Sequence, residues 1–178
     1  MSGISVLAAQ HTIGDPVDDA SMRHVMGAFP SGVTVLTTCA GEHPVGMTIS
    51  SFASVSIDPP LLLQCVSRSA GCLPAYRIGR PVVVNVLACD QAGLARRFAG
   101  RHEDRFAGVA FGFEAGGAPV LDRTAAWAGG TVDRIYDAGD HVILLIRVRE
   151  VRRSDRKPLL YHSGRMYDWT TATAAIDT

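Results

Sequence analysis

From Val33 onward, apolar residues recur with a period of two in short runs, and the segments between most runs are too brief to hold a crossover helix. Parallel strands need a connection of about a dozen residues or more, so the pattern points to antiparallel pairing. Val33, Val35 and Thr37 alternate with Thr34, Leu36 and Thr38, and Gly41-Glu42-His43-Pro44 turns the chain into a second run at 45–50. This is the signature of a β-hairpin. Ala53, Val55 and Ile57 continue the alternation until Asp58-Pro59-Pro60 interrupts it. The apolar runs at 61–66 and 81–87 have the length of fully buried strands. Two long strands are expected over about 125–136 and 141–152, joined at Asp137-Ala138-Gly139-Asp140, with Arg147 and Arg149 on a wet face. Residues 111–114 and 159–162 add shorter strands.

Helices are few. Asp18 or Asp19 caps a short helix reaching Phe29, with Met22, Val25, Met26 and Phe29 on one face. Pro30-Ser31-Gly32 ends it. A short helix is expected within 67–79, and Asp90 caps another in which Leu94, Ala95 and Phe98 face inward. The expected fold is therefore mainly β, a closed antiparallel barrel with a few accessory helices. It occupies one domain over 18–170, between loose tails at 1–17 and 171–178.

Composition narrows the function. The 178 residues suit one core, and 47% hydrophobic residues exclude global disorder. The 17 basic residues balance 17 acidic ones, so no long-range field attracts nucleic acid or an anionic membrane, and neither is an expected partner. No apolar run approaches the roughly 18 residues that span a bilayer. Lys157 is the sole lysine, which leaves little room for a Schiff base or a phosphate-loop lysine. Cys39, Cys65, Cys72 and Cys89 form no C-x-x-C and are expected as buried, reduced thiols. The apolar patch at 4–9 lacks a preceding basic run, so the expected compartment is the cytoplasm.

Familiar catalytic motifs are missing: no G-x-G, Walker A loop, G-x-S-x-G or H-E-x-x-H occurs. Any chemistry then belongs to something the chain binds. Hydroxyls crowd the strand junction from Gly46 to Leu61, where side-chain and backbone donors suit a phosphate or a ring edge, although Ser and Thr are also ordinary on a wet strand face. Asn85 is an amide inside an apolar run, either a satisfied structural hydrogen bonder or a ligand contact. His141 opens a strand directly after Gly139-Asp140, as a turn hydrogen bonder or a group orienting a bound redox ring. Arg96, Arg97, Arg101 and Arg105, mixed with Glu103 and Asp104, make a self-neutralising face or supply a guanidinium to a phosphate. The other histidines lack metal-ligand spacing, and no metal site is assigned.

Together, Gly46-Met47-Thr48 to Pro59-Pro60-Leu61, Asn85-Val86-Leu87, Arg97-Phe98-Ala99 with Asp104-Arg105-Phe106, Gly139-Asp140-His141 and Leu160-Tyr161 to Tyr167 carry a resemblance. Over about 21–169 the chain resembles the short-chain flavin reductases, the reductase components of two-component flavin-dependent monooxygenases. The resemblance implies a six-stranded Greek-key split β-barrel, a homodimer, and a flavin, FMN or FAD, near the subunit interface. It implies that Met47, Thr48, Ser50 and Ser51 hold the ring edge and nearby phosphate, and that Ser67, Arg68 and Ser69 contact the flavin tail. It places Asn85, Val86 and Leu87 along the ring, Arg105 and Phe106 at the phosphate or ring edge, and His141 near the nicotinamide. The implied reaction is hydride transfer from NADH, rather than NADPH, to the flavin, which then leaves for a monooxygenase partner. Two rivals share the barrel: a non-enzymatic flavin or haem carrier, and a pyridoxamine-phosphate-oxidase-like enzyme, which needs a second basic cluster.

Overall fold

The computed structural model describes residues 16–102, 104–114 and 116–169. Helix α1 (Asp19–Gly27) leads into strands β1 (Ser31–Gly32), β2 (Thr34–Ala40), β3 (His43–Ile49), β4 (Phe52–Ser56), β5 (Leu61–Ser67) and β6 (Pro81–Val86). One turn of 3-10 helix, Leu73–Ala75, lies between β5 and β6. Helix α2 (Ala92–Ala99) precedes β7 (Phe111–Phe113), β8 (Pro119–Leu121), β9 (Ala126–Ala138), β10 (His141–Arg153), β11 (Leu160–His162) and β12 (Arg165–Tyr167).

Seven strands form one antiparallel sheet in the order β3-β2-β6-β9-β10-β5-β4. That is one more than the six expected, because β4 also pairs with β5, with a register shift between Ser54 and Ser56. The two edge strands, β3 and β4, are consecutive in the chain, with only Ser50 and Ser51 between them. Ile49 and Phe52 therefore lie within about 11 Å of each other, even with the link extended. The sheet must curl until its edges meet. No ladder joins β3 to β4, so the sheet stays open along that seam and does not close as the period-two pattern implied. Smaller sheets, β1-β11-β12 and β7-β8, lie outside it.

Curling gives the sheet two buried faces. Leu36, Ile49, Leu62, Val84, Val132 and Leu144 fill the inside. Val33, Val35 and Leu87 pack outside against Ala95 and Phe98 of α2, with Leu121 and Leu159 completing that layer. Val82, Val83, Val84 and Asn85 of β6 are all fully buried, as the unbroken apolar run predicts for a strand covered on both faces. Gly46 lets α2 sit down on β3, since a Cβ there would approach the Phe98 ring to 3.0 Å.

Several local expectations change. Asp18 does cap α1, its Oδ1 accepting from the Ser21 N–H at 2.7 Å, but the helix ends two residues before Phe29. Its apolar face does not enter the core: Val25 is 66% and Phe29 72% exposed. Asp90 does not cap α2; Gln91 holds that position, and Asp90 instead pairs with Arg123 and Arg156. The four cysteines are unpaired but half-buried, not buried. The expected tails fall almost wholly outside the described residues. Among those residues no helix is long and apolar enough to cross a membrane.

The β9–β10 pairing shifts register between Val148 and Glu150, where Gly130 faces Val148. A Cβ on Gly130 would come within 2.1 Å of the Arg147 carbonyl oxygen. Gly130→Ala is therefore expected to destabilise the fold by about 3 kcal/mol, since backbone must move to admit the methyl. Urea unfolding measures it, and an unchanged midpoint contradicts the close approach.

Candidate functional site

Where the curled sheet opens, β3, the end of β5 and the C-terminal end of α2 enclose a groove of about 730 Å³. It collects Met47, Thr48, Ser67, Ser69, Arg101 and Arg105 of the residues predicted from sequence, and adds His102. The Thr48 hydroxyl donates to the Ala95 carbonyl at 2.7 Å, which ties β3 to α2. The Ser67 and Ser69 hydroxyls lie 2.9 Å apart, close enough to share one hydrogen bond. Arg105 is fixed by two backbone carbonyls: Nε donates to Gly100 at 3.1 Å and Nη1 to Gly46 at 2.7 Å. Neither Arg101 nor Arg105 has a carboxylate ion-pair partner among the described residues. Guanidinium charge without a carboxylate, beside several hydroxyls, is a setting for an anion such as phosphate.

A buried tyrosine and a half-buried cysteine stand near Arg105. Burial pushes the Tyr76 hydroxyl well above its ordinary pKa, and it donates to the Leu36 carbonyl at 2.9 Å. Burial also raises the Cys72 thiol, only partly offset by the nearby Arg105 charge, so Cys72 is a neutral thiol at physiological pH.

His141 stands beside the groove. The β9–β10 hairpin turns through Gly139 and Asp140, with Gly139 at φ +62°, a conformation open to glycine at little cost. In the ladder His141 faces Ser67, so the two side chains emerge on one face as neighbours. His141 Nδ1 lies 2.7 Å from Asp140 Oδ1. That hydrogen bond, and then the attraction of the imidazole, holds the Asp140 carboxyl below the usual aspartate range. Arg68 braces the same turn: Nε donates to the Gly139 carbonyl at 3.0 Å, and Nη2 bonds the Asp137 carboxylate.

Other predicted residues lie elsewhere. Asn85 is fully buried, not along a groove. Its Nδ2 donates to the Val35 carbonyl at 3.1 Å and to Thr37 Oγ1 at 3.0 Å, while Oδ1 accepts the Leu121 N–H at 2.8 Å. This is the structural hydrogen bonder of the two readings. Leu87 is in the outer core. Phe106 is also core, edge-on to Phe98 and Phe111 with centroids 5.0 Å apart in each pair. Val86 lines a separate apolar opening with Phe52 and Trp127. Ser50 is exposed at the seam, and Ser51 knits β4 to β5 by hydrogen bonds of 3.1 Å to the Cys65 backbone N–H and carbonyl. His102 has no motif that marks it in the sequence beyond its position next to Arg101.

A family model, the flavin reductase like domain, matches residues 26–170. The chain belongs to this flavin reductase-like family. The reductase subunit Stc3 of stachydrine N-demethylase from Rhizobium meliloti (strain 1021) is 37% identical over 162 residues, 90% of this chain and 70% of that protein. HsaB, the reductase subunit of a flavin-dependent monooxygenase from Mycobacterium tuberculosis (strain CDC 1551 / Oshkosh), is 33% identical over 151 residues, 83% of this chain and 81% of its own. Among solved structures, the NADH:FAD oxidoreductase SgcE6 of Streptomyces globisporus C-1027, in complex with NAD and FAD fragments, matches with a TM-score of 0.81. It is 37% identical and covers 87% of this chain and 94% of that one. Some relatives are longer: the chain spans 51% of one and 57% of a solved neighbour.

In this member of the flavin reductase-like family, Asn85 serves packing. Asn85→Ala leaves the Leu121 N–H and the Val35 carbonyl short of a partner, an expected loss of about 3 kcal/mol. Flavin affinity of the folded variant should match that of the parent. Denaturant unfolding and flavin fluorescence titration check the two halves, and a selective loss of flavin affinity overturns the assignment.

Proposed function

We propose that the chain is an NAD(P)H:flavin oxidoreductase that delivers reduced flavin to a partner flavin-dependent monooxygenase. The observation that carries this is the juxtaposition, in a flavin reductase-like domain, of a hydroxyl-lined cationic groove with the Asp140–His141 pair across the ladder from Ser67. The groove's size falls in the roughly 300–1,000 Å³ range of small-molecule sites. Its free guanidinium charge and hydroxyls fit a phosphorylated ring.

Arg101 and Arg105 would take the phosphate, and Met47, Thr48, Ser67 and Ser69 would line the remainder. Ser50, Ser51 and Arg68 belong to the rim. A bound flavin supplies a ring that accepts hydride from reduced nicotinamide, which is why no nucleophile or metal is needed. Asp140 remains ionised and accepts the proton-bearing Nδ1 of His141, which leaves Nε2 to meet the nicotinamide. The nicotinamide donor is NADH rather than NADPH, and the flavin is FMN or FAD.

The same reading makes the curled sheet a split barrel and the protein a cytoplasmic homodimer. The four free cysteines fit a reducing compartment. The apolar face of α1, with Ile57 after β4, is exposed on the single chain, and monomers seldom leave such surface uncovered. Sedimentation is expected to give twice the chain mass, and Val25→Asp on α1 to give the monomer mass. A monomeric parent protein removes the dimer.

Activity is tested by following nicotinamide absorbance in air with NADH or NADPH and added FMN or FAD. Flavin-dependent oxidation is expected, faster with NADH. His141→Ala should lower kcat about a hundredfold, the scale of one proton-handling group, with flavin affinity retained. Flavin bound without any oxidation would leave a carrier in place of an enzyme.

A further inference from the structure

A second, larger cleft of about 1,000 Å³ opens between the β2–β3 turn, the segment after β5 and the connector beyond α2. It holds none of the residues predicted from sequence except Arg105 and Phe106. It shares Gly71, His102 and Arg105 with the smaller groove, so the two compartments adjoin at those residues. Arg77 and Arg80 line the larger cleft, and both are exposed. Neither has an ion-pair partner among the described residues. Arg77 Nε donates to the Pro74 carbonyl at 3.0 Å, which fixes the guanidinium and leaves its terminal nitrogens available. The one carboxylate in the lining, Asp104, is engaged with the Phe106 N–H at 2.8 Å. Pro44, Pro74 and the half-buried Phe111 supply apolar wall.

Two compartments that meet at an anchored arginine have the form of a site for a dinucleotide. The phosphates belong at the junction, where Arg105 is held by its two carbonyls. The outer cleft has cations for a second phosphate and flat apolar surface for a base. We infer that the larger cleft takes the adenosine phosphate half of FAD, so that this chain selects FAD over FMN. The inference rests on the smaller groove being the flavin site.

The test is fluorescence titration of the purified protein with riboflavin, FMN and FAD, repeated for Arg77→Ala/Arg80→Ala and for Gly71→Leu. Gly71 lines both compartments and an added Cβ there meets nothing within 4 Å, so leucine fills space where the two adjoin without straining the backbone. The parent is expected to bind FAD at least about tenfold more tightly than FMN, a difference of about 1.4 kcal/mol. Both variants should bring the ratio of FAD to FMN affinity toward one, and AMP should compete with FAD more than with FMN. Equal affinity of the parent for FMN and FAD overturns the inference and leaves the flavin site standing. Failure to bind any flavin refutes the groove itself. If the arginine variant raises KM for NADH, measured with FMN, while the FAD to FMN ratio holds, the cleft serves the adenosine of the nicotinamide dinucleotide and the inference falls.

Discussion

The two-residue link between β3 and β4 is the constraint from which the rest follows. These strands are the opposite edges of a seven-stranded sheet, yet Ser50 and Ser51 alone join them. A twisted sheet tied at both edges has to roll up, and rolling creates an inside that Leu36, Val84 and Leu144 fill. It also leaves a seam where edge carbonyls lack strand partners. Arg105 answers one of them by donating to Gly46 on β3.

The groove is a product of that seam. An edge strand can offer Thr48 and Gly46 to a helix and an arginine because no further strand covers them. The end of β5 brings Ser67 and Ser69 to the same place, and the β9–β10 hairpin brings His141 beside Ser67. Residues 74 positions apart, Ser67 and His141, thus become neighbours through ladder register alone. Arg68 and Asp140 brace that hairpin, so the imidazole sits on a rigid turn and not on a loose loop.

Much of this was legible in the chain. Alternation located the strands, Gly139 marked the hairpin, and of the hydroxyl-rich junction Met47 and Thr48 lie in one wall of the groove, whereas Ser50 and Ser51 do not. Asn85 shows the limit: an amide in an apolar run signals an important hydrogen bond, but only the packing of β8 against β6 reveals that the Leu121 N–H and Val35 carbonyl use it up. Phe106 likewise reads as a motif residue beside Arg105, whereas its ring is clasped by Phe98 and Phe111. The periodic face of α1 was equally clear, and its exposure was not, since periodicity states that a helix has an apolar side without stating what covers it.

Local rules act over a few residues, so the sequence by itself determined the antiparallel strand pattern, an aspartate cap at the start of α1 and the lack of the familiar nucleophile motifs. Tertiary structure decided which of the candidate groups meet. Pairing register and the curl of the sheet are long-range properties, settled by which faces can be buried together. They set Thr48, Ser67, Ser69 and Arg105 around one groove, withdrew Asn85 and Leu87 into the core, and joined that groove to a second cleft lined by Arg77 and Arg80.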